Sequence, residues 1–169
     1  MKKLFIIILF IPIITPFYIF SQCHTINNAF HEGEKLSYKV YYNWGFLWLS
    51  AGSVSFEVKT AYYKGEKVYH FDSYGNSYKS YDWFFRVRDH YESYASIDSL
   101  KSLWFRRNTY EGGYEVDNRY FFDHDKKLIY SFVEDSDNPY KEDTLELKEC
   151  TYDLLTATYA IRNYDFSKY

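Results

Sequence analysis

The sequence predicts an all-β, mainly antiparallel fold: a curved meander sheet or open barrel with one short C-terminal helix. Three observations lead to this prediction. Aromatic residues make up 24% of the chain, including 21 Tyr and 15 Phe, while Met occurs once, and this supply favours strands over helices. Several segments alternate apolar and polar residues with the two-residue period of a half-buried strand. Turn compositions separate these segments, as in a chain of hairpins.

The first half of the chain predicts four strands, at 35–42, 49–60, 67–74 and 87–97. In the first of them Leu36, Tyr38 and Val40 alternate with polar residues, which is the clearest two-residue period in the chain. In the second, the apolar parity changes at Gly52. A change of parity by one residue indicates a β-bulge, and Gly tolerates the backbone conformation that a bulge requires.

The second half predicts four shorter strands and the helix. The acidic composition of residues 134–143 predicts a solvated loop before the last strand. Asp153 is a suitable N-cap for a helix, because Leu154, Leu155 and Thr158 follow it at helical spacing. The predicted elements are strands 103–110, 114–122, 127–134 and 144–148, and a helix at 153–162.

Residues 1–21 are predicted to be a secretory signal peptide. Two lysines after the initiator Met give a positive n-region, and residues 4–20 form an apolar run without charge. A membrane anchor is the alternative, since this run approaches the roughly 20 residues that span a bilayer, but two prolines interrupt it. We therefore expect cleavage after Ser21 and no stable membrane span in the mature chain.

The mature chain, residues 22–169, is expected to be one β-rich domain located in the periplasm or cell envelope. Cleavage removes two of the 20 basic residues and none of the 23 acidic ones, so the net charge falls from −3 to about −5. Nucleic acids and anionic membrane surfaces both require a basic face. We therefore expect no nucleic-acid partner; the partner is an unknown envelope ligand or protein.

Cys23 and Cys150 are the two cysteines of the chain, one near each end of the mature domain. In an oxidising compartment this arrangement predicts a disulfide bridge, which on the chain-entropy model would stabilise the fold by ~4–5 kcal/mol. The alternative is two unpaired thiols, with Cys150 buried as a small hydrophobe. Acylation of Cys23 is disfavoured, because Gln22 is too large and polar for the residue that precedes a lipidated cysteine.

Asp89 is the most informative polar residue, because the strand period places it on the apolar side of the fourth strand. A carboxylate there must be paired or hydrogen-bonded. A structural ion pair is favoured over catalysis. The expected hydrogen-bond donor is a backbone group or an arginine, with three candidate arginines: Arg86, Arg107 and Arg119.

Three other polar segments receive ordinary structural interpretations. The histidine and carboxylates at 31–34 start a strand, residues 123–125 form a turn, and residues 134–138 form a solvated loop. No catalytic, phosphate-binding or metal-binding motif is recognised, so neither a cofactor nor a metal is predicted.

Five segments of the chain together resemble an exported family. They are residues 30–38, Ala51-Gly52, residues 87–89, residues 152–157 and Arg162. In order and content they are similar to the family catalogued as domain of unknown function 3108. The resemblance implies a β-domain in the envelope of Gram-negative bacteria, without an assigned activity. Family members continue with further strands after the helix, so this chain is expected to be a truncated product or a shorter variant.

Two functions from different classes remain open. The first is a non-enzymatic envelope module, which binds an apolar or glycan-like ligand in the concavity of the sheet, or docks a partner on the aromatic surface around Trp44, Phe46 and Trp48. The alternative is a hydrolase-type enzyme that uses Arg88, Asp89 and His90, and it requires these groups to converge in one pocket.

Overall fold

The computed structural model describes residues 25–168, without the side chains of Trp44 and Lys168. The predicted signal peptide and Cys23 lie outside the described residues, so cleavage and the Cys23–Cys150 bridge stay predictions. The described chain forms eight strands and one α-helix: β1 (Lys35–Trp44), β2 (Leu47–Tyr63), β3 (Glu66–Ser77), β4 (Val87–Ser96), β5 (Ser102–Glu111), β6 (Tyr114–Asp123), β7 (Leu128–Asp135), β8 (Lys141–Glu146) and α1 (Leu154–Ile161).

The strands form one open sheet in which every strand pairs antiparallel with its neighbours in the chain. Each connection is therefore a hairpin or a short loop, which is the meander expected from the spacing of the turn segments. The predicted fold class, a mainly antiparallel all-β sheet with one short helix, is confirmed. Within the described residues, no helix is long and apolar enough to cross a membrane.

The predicted β-bulge in β2 is present. Val40 pairs with Gly52, and the next residue, Tyr41, pairs with Ser50, so Ala51 is the extra residue of the bulge. At Gly52 the neighbouring strand comes very close: a Cβ atom there would lie within 3.0 Å of the Asn76 carbonyl oxygen. Glycine is therefore required here by the close approach of β3.

The two faces of the sheet differ in what covers them. The inner face, which carries Val58, Phe71 and Ala95, packs against α1 and forms the core. The ring of Tyr159 from α1 stacks on Phe71 at 4.1 Å between centroids. The outer face is the opposite one and carries His70, Asp72 and Tyr94, by the alternation along β3 and β4.

The N-terminus of α1 is fixed by a buried polar network around Asp153, the predicted N-cap. The Asp153 carboxylate accepts hydrogen bonds from the backbone N–H of Thr156 at 2.9 Å and from the hydroxyls of Thr156 and Ser93 at 2.7 and 2.8 Å. The backbone N–H of Asp153 donates to Ser102 Oγ at 2.9 Å. Burial raises the pKa of Asp153, and these hydrogen bonds oppose that effect. The network joins the helix to β4 and β5.

The main difference from the predicted elements is at β8. It begins at Lys141 opposite Val133, whereas residues up to 143 were expected to form a loop. All six residues of β8 are exposed. Charged residues are common on edge strands, where they oppose unwanted pairing, so an edge strand and a solvated loop have similar compositions.

Candidate functional site

A cavity of about 840 Å³ opens on the inner face of the sheet, toward the β1–β2 hairpin. Its walls come from β1 to β4 and from the segment 78–86 that joins β3 to β4. Among the described residues that line it, Asp89 is the only charged one. The lining residues are Val40, Tyr42, Leu49, Ala51, Gly52, Ser53, Val54, Gly75, Asn76, Ser77, Tyr81, Trp83, Phe84, Phe85, Val87 and Asp89.

The segment 78–86, which we call the aromatic lip, forms one rim of the cavity. The backbone N–H of Tyr78 donates to the Ala51 carbonyl at 3.0 Å, next to the bulge. A short 3₁₀ turn at Lys79–Tyr81 follows, and the Arg88 guanidinium pairs with Asp82. These contacts fix the backbone of the lip. Its rings nevertheless face solvent, since Trp83 and Phe84 are 83% and 79% exposed.

Asp89 is only partly buried, but one of its oxygens is sequestered. Oδ1 is inaccessible to solvent and accepts no hydrogen bond from any of the described residues. The pKa of Asp89 is raised to about 6, chiefly by burial and also by the charge of Glu111, while Arg107 and a backbone hydrogen bond from Tyr110 act to lower it. Its cross-strand neighbour on β3 is Gly75, so no side chain from that position covers the carboxylate.

The predicted placement of Asp89 on the apolar face is correct, and of the two expected kinds of donor the backbone is present, through Tyr110, whereas no arginine among the described residues forms an ion pair with Asp89. Each candidate arginine has another neighbour: Arg86 lies over the Tyr110 ring at 5.1 Å, Arg107 is 3.7 Å from Glu111, and Arg119 is 3.9 Å from Asp117. Strand alternation showed the face that Asp89 occupies. The pairing of its neighbours depends on the registers of β5 and β6, which the sequence does not display.

The side chains of Arg88, Asp89 and His90 do not converge. Asp89 points into the cavity on the inner face, whereas His90 lies on the outer face with Nε2 2.8 Å from Asp72 Oδ1. Arg88 does not line the cavity either, and its guanidinium binds Asp82 and Ser77. Adjacent residues of a strand project to opposite faces, so this trio does not form one pocket. Whether the chain is an enzyme stays a prediction.

The aromatic surface predicted around Trp44, Phe46 and Trp48 lies at the β1–β2 hairpin. Phe46 and Trp48 are 89% and 68% exposed, and neither lines the cavity. The side chain of Trp44 lies outside the described part of the chain. Sequence reasoning did not identify the aromatic lip as part of a cavity wall, although its run of rings at 81–85 breaks the alternation of the strands on either side.

The polar segment at 31–34 serves the structure around the core. Arg162 holds Glu34 through two hydrogen bonds, Nη1 to Oε1 at 2.6 Å and Nη2 to Oε2 at 3.0 Å. The hydrogen bond from Arg162 lowers the pKa of Glu34. Glu32 accepts a hydrogen bond from the Thr60 hydroxyl at 2.7 Å. The segment 123–125 enters a turn, as predicted, in which Asp123 accepts from the backbone N–H of Lys126.

Comparison with known proteins gives a single result. Residues 37–168 match the model of the family described as Protein of unknown function (DUF3108). The chain belongs to the DUF3108 family. No curated protein and no solved structure matches it. The matched range contains the bulge, the aromatic lip, Asp89 and α1, so the cavity is built from the DUF3108 region of the chain.

Proposed function

We propose that this DUF3108 protein is a non-enzymatic binding module whose cavity takes an elongated apolar molecule with a hydrogen-bond donor at one end. The observation behind this proposal is a single carboxylate with an unpartnered oxygen in an otherwise uncharged cavity of about 840 Å³. Ligand pockets of roughly 300–1,000 Å³ with apolar walls and a few polar groups are typical of small-molecule sites.

The walls favour the apolar part of such a ligand. Aliphatic residues Val40, Leu49 and Val54 form one side and the rings of the aromatic lip form another. Each CH₂ group transferred from water to such walls contributes about 0.8 kcal/mol to binding. A chain of around ten carbons therefore contributes about 8 kcal/mol, and after the cost of immobilising it the expected affinity is closer to millimolar than to micromolar.

Asp89 selects the polar end of the ligand. A buried carboxylate oxygen without a hydrogen bond is costly, and a donor from the ligand removes that cost. A ligand carboxylate would place a like charge beside Asp89 and is disfavoured. The preferred ligands are therefore amines or alcohols with long alkyl chains, and fatty acids are disfavoured by their charge.

Dodecylamine and dodecanoate are suitable probes in a calorimetric titration at neutral pH. We expect dodecylamine to bind at least about tenfold more tightly than dodecanoate, because a difference of about 1.4 kcal/mol in binding free energy already gives that ratio.

Gly75→Leu should weaken the binding of dodecylamine by about tenfold, since the leucine side chain would take the space of about two CH₂ groups of the ligand beside Asp89. Gly75→Ala is the control, because a Cβ there meets its neighbours at 3.5–3.9 Å, which is ordinary contact. Unchanged affinity in Gly75→Leu would show that the probe binds elsewhere.

Asp89→Asn separates the binding role of this residue from a structural one. The pKa of Asp89 is about 6 in the folded protein and 3.8 in the unfolded chain. Between pH 3.8 and about pH 6 the folded state therefore binds more protons than the unfolded state, and the stability of the protein falls as pH rises. Removing the charge should therefore stabilise the protein at pH 7.4, by about 1–2 kcal/mol after solvent screening is allowed for. This gain in stability should be smaller at pH 4.5. The Asp89→Asn protein should also lose the preference for dodecylamine over dodecanoate. Destabilisation by this substitution at pH 7.4 would instead indicate a structural partner for Asp89.

We further propose that the protein is exported to the periplasm or cell envelope. The support is the charged start and apolar run of residues 1–21, together with two cysteines placed for a bridge. Protein recovered after expression with its own N-terminus should have an intact mass that lacks residues 1–21. Peptide mapping without reductant should find Cys23 joined to Cys150. A retained Met1 would contradict export, and an acyl group on Cys23 would contradict the bridge and cleavage after Ser21.

A further inference from the structure

We propose that the outer face of the sheet carries a binding site for a divalent transition metal, with Zn²⁺ as the best match, formed by His70, Asp72 and Glu92. His70 and Asp72 are two residues apart on β3, so they share a face, and Glu92 is the direct cross-strand partner of Asp72 on β4. One ligand atom from each residue lies within 4.8 Å of the other two. Imidazole and carboxylate ligands in this number are typical of zinc sites that leave a position for water.

The closest pair already has the spacing of two ligands of one ion. His70 Nε2 lies 3.3 Å from Glu92 Oε1, yet Nε2 is buried and makes no hydrogen bond with any of the described residues. With bonds of about 2.0–2.2 Å, two ligand atoms at a tetrahedral zinc are separated by about 3.3–3.6 Å. The two atoms therefore lie side by side with the separation that a shared cation produces, without the alignment of a hydrogen bond.

Neighbouring side chains hold the proposed ligands in place. Asp72 is 5% exposed, and His90 Nε2 and Lys59 Nζ each lie 2.8 Å from one of its oxygens. Each carboxylate oxygen has a second lone pair, so these contacts leave Asp72 able to coordinate. The ring of His90 is itself stacked on Tyr74 at 4.2 Å. His90 is thus a positioning residue, as partners in the outer shell of metal sites commonly are.

The local charge also favours a cation. Asp72 and Glu92 contribute two negative charges, and Lys59, which is 42% exposed and also lies 3.2 Å from Glu57, contributes one positive charge. Arg106 on β5 is the cross-strand neighbour of Glu92, but it forms an ion pair with Asp117 at 3.0 Å. The site lies on the face opposite the cavity, so zinc binding and ligand binding are independent proposals.

Calorimetric titration of the mature protein with ZnCl₂ tests the site. We expect the parent protein to bind one Zn²⁺ ion per chain. His70→Gln and Glu92→Gln should each lower the affinity for Zn²⁺ by about 10- to 100-fold, because replacing even a residue that only contacts a metal ligand has an effect of this size. His31→Gln is the matched control, because His31 is exposed and lies in another segment. It should bind Zn²⁺ like the parent.

A second measurement keeps the test independent of how well the variants fold. The parent protein with Co²⁺ in place of Zn²⁺ should show the intense visible absorption of a tetrahedral site, and His70→Gln should lack it. Circular dichroism of each variant reports its fold. The proposal is overturned if the parent gives only the weak absorption of hydrated Co²⁺, or if folded His70→Gln and Glu92→Gln bind Zn²⁺ as tightly as the parent does.

Discussion

Gly52→Ala should destabilise the domain by about 3 kcal/mol or more, the largest effect that we expect from any single methyl group in this chain. The added Cβ would lie within 3.0 Å of the carbonyl oxygen of Asn76, which is a backbone atom of the neighbouring strand. A flexible side chain could turn away, but this carbonyl can move only if β2 and β3 separate. Urea unfolding followed by tryptophan fluorescence measures the change.

Gly75→Ala is the control for this substitution. It lies on the same strand pair, opposite Val54, and its added Cβ would make only ordinary contacts of 3.5–3.9 Å. It should therefore change stability by less than about 1 kcal/mol. Both substitutions reduce the freedom of the unfolded chain equally, so this effect cancels when the two variants are compared. If the two variants unfold at the same urea concentration, the close approach at Gly52 is not what requires glycine there.

Asp153→Ala should also cost about 3 kcal/mol. The substitution removes the N-cap of α1, worth about 1 kcal/mol, and leaves the buried hydroxyls of Ser93 and Thr156 with one acceptor fewer. Because α1 covers the core of the inner face, the loss acts on the whole domain. Unfolding in urea, with circular dichroism as the signal, measures it.

Two controls define the cause of the Asp153 effect. Asp153→Asn keeps an oxygen that can accept from the Thr156 N–H, so it should cost less than Asp153→Ala. Asp125→Ala removes an exposed carboxylate from a turn and should change stability by no more than about 0.5 kcal/mol. An equal loss in Asp153→Ala and Asp125→Ala would mean that the buried network contributes nothing.

The cavity and the proposed zinc site depend on the same strand, β4, and on opposite parities of its residues. Asp89 faces the cavity, while His90 and Glu92 face outward. A substitution on one face should therefore leave binding on the other face unchanged. This separation also means that a defect in zinc binding would not weaken the case for the cavity, and the reverse holds as well.

The sequence by itself determined the strands, the bulge at Gly52 and the start of the helix at Asp153. These features are local: a strand shows its period over five or six residues, and an N-cap shows itself beside the turn that it caps. The same periodicity placed Asp89 on the apolar face. It did not distinguish the first residues of β8, 141–143, from a loop, because an exposed edge strand has no apolar face to display.

Only the tertiary structure decided which polar groups meet. His70, Asp72 and Glu92 come together because β3 and β4 pair in one register, and a shift of one residue would put Glu92 on the other face. The lack of an ion pair between Asp89 and any described arginine, and the position of the aromatic lip at the rim of the cavity, likewise depend on contacts between segments. The physical reason is that strand register and loop packing are set by the whole core, whereas alternation is set by neighbouring residues along the chain.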